Sequence, residues 1–71
     1  MSNKIEAPVP GVILDIKVNV GDVVKTNQVL CILEALKMEN DVVTPWAGTV
    51  TGIHVKVGEE VDTEALMFTI D

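Results

Sequence analysis

The strongest constraint on this chain is that it repeats itself without a gap. Residues 1–34 lie over residues 38–71 at a constant offset of 37. Pro8 meets Pro45, Gly11 meets Gly48, Ile16 meets Ile53, Val18 meets Val55, Val20-Gly21 meets Val57-Gly58, Val24 meets Val61 and Thr26 meets Thr63. Each half shows one apolar face that it has no means of burying alone. The halves are therefore expected to pack on each other about a pseudo-twofold axis. Only Ala35-Leu36-Lys37 fall outside the repeat, and Lys37 closes that joint. A duplicated unit with one lysine at its midpoint points to a scaffold that holds up the lysine.

The repeated unit is β. Apolar residues recur with period two through Ile16, Val18 and Val20, and again through Ile53, Val55 and Val57. β-Branched side chains dominate these runs, which suits a pleated, half-buried strand. The glycines of Gly21-Asp22 and Gly58-Glu59 allow the positive φ that a tight reversal needs, and Asp22 and Glu59 are expected to share a turn role. Pro8-Val9-Pro10-Gly11 and Pro45-Trp46-Ala47-Gly48 read as matching corners before the long strands. Strands are predicted over 3–7, 11–18, 23–24, 28–34, 38–44, 48–56, 60–61 and 65–70. Eight short strands in two equivalent sets imply an all-β sandwich or flattened barrel. Ala35-Leu36-Lys37-Met38 is too short and too tightly bracketed for a helix, so a hairpin between the fourth and fifth strands places Lys37 at an exposed tip.

Composition narrows the function. Residues 1–71 suffice for one domain, and a core this small leaves little room for an enclosed catalytic site. The net charge of −6 and the absence of arginine argue against nucleic acid and anionic membrane surfaces. No apolar run is long enough to span a bilayer, and the first residues do not read as a signal peptide. Cys31 is the lone cysteine, which precludes an internal disulfide or a cysteine-based zinc site and suits a buried thiol in a reducing, cytoplasmic setting. His54 reads as a surface residue with no second ligand beside it, so no metal site is expected. Trp46 reads as a corner residue partly covering the core, and Glu59-Glu60, Asp62 and Glu64 as a solvated turn. No nucleophile–base pair marks an enzyme, so no catalytic residue is assigned.

The segment Glu34-Ala35-Leu36-Lys37-Met38-Glu39 closely resembles the biotinyl domain of biotin-dependent carboxylases and decarboxylases. The family pattern is usually Glu-Ala-Met-Lys-Met, and this chain departs from it at Leu36. The resemblance takes in both proline–glycine corners and the Val20-Gly21-Asp22 turn. It implies a barrel-sandwich hybrid of two four-stranded antiparallel sheets, with Lys37 joined to biotin by a biotin protein ligase. Biotin would then carry a carboxyl group between a biotin carboxylase and a carboxyltransferase or decarboxylase. Because the halves align without a gap, there is no room for the protruding thumb hairpin of some acetyl-CoA carboxylase carriers. Leu36, Met38, Ala35, Glu34 and Glu39 are candidates for recognition by the ligase or a partner enzyme. The plainer reading makes the apolar pair turn packing and the glutamates solvated strand-end charges. Lipoyl domains resemble the same fold but typically carry Asp-Lys-Ala at the tip, so a lipoyl carrier is the first alternative and an unmodified binding module the second.

Overall fold

The computed structural model describes residues 3–71. The repeat boundary at Met1 and Ser2 thus lies outside the described residues. Eight strands follow in order: β1 (Asn3–Glu6), β2 (Gly11–Ile16), β3 (Val23–Val24), β4 (Val29–Ala35), β5 (Met38–Val43), β6 (Gly48–Ile53), β7 (Glu60–Val61) and β8 (Leu66–Ile70). They form two four-stranded sheets, β1-β8-β6-β3 and β5-β4-β2-β7, with antiparallel pairing throughout.

Adding 37 to a residue number turns β1 into β5 and β2 into β6, and so exchanges the two sheets. The halves are not stacked as separate layers. Each sheet takes two strands from either half, because the chain changes sheet at every connection except the β4–β5 turn. In the β2–β3 connection the Gly21 N–H donates to the Val50 carbonyl at 2.8 Å, and in its mate, the β6–β7 connection, the Gly58 N–H donates to the Ile13 carbonyl at 2.7 Å. These glycines have φ of 97° and 89°, a conformation that other residues adopt only with strain. The Asp22 carboxylate accepts from the Asn19 N–H at 2.8 Å and the Glu59 carboxylate from the Lys56 N–H at 3.1 Å, which is the shared turn role expected of them.

The crossings also explain why β2 and β6 stop at Ile16 and Ile53, short of the predicted 18 and 56. Val18 and Val55 are buried, but on the corners rather than on paired strand, while Val20 and Val57 are mostly exposed. A bulge between Ile13 and Asp15 absorbs the apolar run Val12-Ile13-Leu14, leaving Leu14 unpaired and partly exposed. Its mate lies between Val50 and Gly52.

Burial follows the repeat. Ile13, Val18, Val24, Leu30, Cys31 and Leu33 are buried, and so are their mates Val50, Val55, Val61, Met67, Phe68 and Ile70. One continuous core thus joins the sheets. Truncating a side chain such as Leu33 to alanine is expected to cost about 2–5 kcal/mol. The symmetry also fixes the poles of the 32 × 17 × 17 Å molecule. Leu33 pairs with Asn40 beside the β4–β5 turn, and the mates of these residues, Ile70 and Asn3, pair where the two chain ends emerge. The turn and the chain ends therefore occupy opposite ends of the long axis.

Candidate cofactor-attachment site

β4 and β5 pair from Val29↔Val43 up to Ala35↔Met38, which leaves Leu36-Lys37 as a two-residue loop. Their φ values are 55° and 64°. Positive φ at both central residues is the type I′ geometry, whose twist matches that of the flanking strands. Asparagine–glycine is its usual sequence, and the left-handed region costs another L-residue roughly 1–2 kcal/mol. The hairpin ladder holds the turn against that cost. Ala35 is buried beneath it, and the Asn40 side-chain amide donates to the Met38 carbonyl at 3.2 Å and to the Leu33 carbonyl at 3.5 Å.

The outcome is an exposed lysine on a stiff mount. Leu36 is 90 % and Met38 66 % exposed, so the apolar pair flanks the amine in solvent instead of packing over the barrel end. Lys37 is exposed, and its ammonium belongs to no ion pair among the described residues. The chain's other lysines are Lys4, Lys17, Lys25 and Lys56, of which Lys17 is bound to Asp15 at 2.8 Å. That contact raises the Lys17 pKa and lowers that of Asp15, first through the hydrogen bond and then through charge.

Glu34 and Glu39 stand directly opposite each other below the tip, both exposed. Val12 is next to Glu34 in the adjoining register and Glu60 lies beyond it, so the sheet presents an acidic row beside the lysine. Gly11 lies in the same place for a reason of space. A Cβ there would overlap the Glu34 carbonyl oxygen, and Gly48 meets Asp71 in the same way. These two glycines open strands and permit close backbone approach, whereas the corners themselves are bends at Pro8-Val9 and Pro45-Trp46. The second corner is tied by Thr44, a buried residue whose hydroxyl donates to the Trp46 carbonyl at 2.8 Å and accepts from its N–H at 3.1 Å. Trp46 is 40 % exposed, the half-covered corner residue expected, and His54 is on the surface. Asn40 went unnoticed in the sequence. Its signal was an asparagine kept at both 3 and 40 in the repeat, a polar identity shared otherwise by Thr26 and Thr63.

Chemically the site offers an accessible primary amine on a flexible stem, fixed at its backbone and outside any enclosure. Such an amine fits amide attachment of a carboxylic-acid cofactor. Among the described residues no cluster of three or more His, Cys, Asp or Glu side chains is placed to hold a metal ion, and no helix is long and apolar enough to cross a membrane.

The family model of biotin-requiring enzymes matches residues 3–70. This chain belongs to that family. Its cofactor is biotin. Over 69 residues it is 52 % identical to the biotin carboxyl carrier protein of Streptococcus mutans serotype c, a match covering 97 % of this chain and 53 % of that protein. It is 39 % identical to the mitochondrial pyruvate carboxylase of Mus musculus, covering all of this chain and 6 % of that enzyme. Among solved structures, the urea carboxylase of Kluyveromyces lactis superposes on the whole chain with a TM-score of 0.94 at 27 % identity, over 6 % of its own length. The chain thus spans about half of its carrier-protein relative and a small part of the carboxylases.

Proposed function

We propose that residues 1–71 form one biotin carboxyl carrier domain, with Lys37 as the attachment point. The observation that carries this reading is the strained two-residue turn, which sets one lysine in solvent at the pole away from the chain ends. A biotin protein ligase would use ATP to activate the biotin carboxyl group, and the deprotonated Lys37 Nζ would attack its carbon, expel the activating phosphate group and form the amide. Once attached, biotin supplies the ureido nitrogen that takes up and releases a carboxyl group. The protein's part is mechanical and electrostatic. The β4–β5 ladder fixes the base of the arm, and the free stem lets it visit more than one partner. Tethering keeps the cofactor at a high effective concentration near each partner's site. Leu36 and Met38 offer exposed apolar contacts to those partners, while Glu34 and Glu39 offer charge.

In this reading the chain itself performs no catalysis, and a biotin carboxylase and a carboxyltransferase or decarboxylase act on its cofactor in the cytoplasm. The likeness to a carrier protein and to carboxylases supports those partners. The test is to give the ligase-treated domain to a biotin carboxylase with ATP and labelled bicarbonate. Label should appear on the domain and be absent from a Lys37→Arg variant of unchanged melting temperature. Equal labelling of the two proteins would exclude Lys37 as the carrier residue.

A further inference from the structure

A cleft of about 400 Å³ runs along one side of the sandwich, between the edge strands β1 and β5. Ile5, Val42, Pro8 and Pro45 line its apolar part, with Val43 and Trp46 at the lip. It lies over the pseudo-twofold axis, since Ile5 is the mate of Val42 and Pro8 that of Pro45. Its charged groups break the symmetry. Lys4 of β1 and Asp41 of β5 are mates of opposite sign, both line the cleft, and neither is in an ion pair among the described residues. Glu6 has the apolar mate Val43.

Resting on the proposed attachment at Lys37, we propose that this cleft is a resting dock for the biotin carried by the same chain. The reach fits. Asp41 is four residues along β5 from Lys37, or about 14 Å at a strand rise of ~3.4 Å per residue. About eleven bonds separate the Lys37 Cα from the ring of an attached biotin, an extended reach of roughly 14 Å. An arm folded back along β5 brings its ring level with Asp41 and Val43. The chemistry fits as well. A ureido ring has N–H donors on two sides and one carbonyl acceptor, so Asp41 accepts from it and Lys4 donates to it. The thioether ring, to which the arm is joined, lies on the tether side against Val43, and the ureido ring at the far end of the arm is the part turned toward Trp46. Because the ring is tethered at millimolar effective concentration, a contact too weak to hold free biotin suffices to hold this one. The dock keeps the cofactor against the domain between visits to partner enzymes.

The test is an amide and indole NMR map of the domain before and after ligase treatment, with intact mass establishing that one biotinyl group is present. The dock predicts shifts at Leu36–Met38 and also in two distant patches, Lys4–Glu6 and Asp41–Trp46, including the indole N–H of the single tryptophan. In the biotinylated Asp41→Ala domain the distant shifts should shrink at least twofold while those at the turn persist. Shifts confined to residues 34–39 in a fully modified domain would overturn the dock and leave the carrier reading standing. Distant shifts undiminished in the Asp41→Ala protein would also overturn the assignment. A chain that stays unmodified would overturn both.

Discussion

The turn that presents Lys37 stores conformational energy, and that energy should be recoverable at Leu36. Leu36 has φ of 55° and is 90 % exposed, so its side chain contributes little burial to lose. The left-handed region costs an ordinary L-residue roughly 1–2 kcal/mol, and asparagine adopts it far more readily. Leu36→Asn should therefore stabilise the domain by about 0.5–1 kcal/mol. For a domain of this size 1 kcal/mol moves the melting temperature by roughly 4–8 °C, so a rise of about 2–8 °C is expected. Leu36→Ala removes the same apolar surface without gaining tolerance of positive φ, and should leave the melting temperature within about 2 °C. Circular dichroism melts of the three proteins at one concentration, supported by urea titrations, read the difference. An asparagine variant no more stable than the alanine variant would refute stored strain at this turn.

Other consequences are separable from that one. Gly11→Ala puts a methyl group into the Glu34 carbonyl, and overpacking against backbone should cost about 1–3 kcal/mol, seen as a lower urea midpoint with an unchanged slope. Its pseudo-symmetric counterpart Gly48→Ala should lose a similar amount, because Asp71 approaches in the same way. Burial pushes the Cys31 thiol up to about 11 from 9.0. Between those values the unfolded chain ionises its thiol and the native chain does not, so stability falls as pH rises through pH 9 to 11. The loss should be on the order of 1–2 kcal/mol larger than in Cys31→Ala, measured by urea midpoint against pH. Equal slopes for the two proteins would contradict a desolvated thiol.

Much of the strand order was legible because duplication checks itself. A strand inferred in one half had to recur 37 residues later, and Val24 with Val61 identified two-residue strands that no window of periodicity would find. Lys37 was legible for the same reason, as the end of the joint between repeats. The interleaving of the halves was not. It depends on where the chain changes sheets, and Val18 continues the alternation of β2 although the backbone has already turned toward Val50. Positive φ at Asn27 and Glu64 was equally hidden, since neither is glycine and their equivalence shows only once the backbone is seen. Gly11 was read as a turn residue because its actual constraint, the carbonyl of Glu34, comes from a strand more than twenty residues away. Leu36 was readable as a departure from a motif, but not as a residue held in a disfavoured conformation. That fact depends on the two-residue closure set by Ala35↔Met38.

The central claim is that this fold sets apart one of five lysines for a single covalent task. The most direct measurement is peptide mass mapping of the domain after treatment with a biotin protein ligase, biotin and ATP. One biotinyl group on Lys37, with Lys4, Lys17, Lys25 and Lys56 unmodified, is the predicted result. An unmodified chain, or biotin spread over the other lysines, would contradict it.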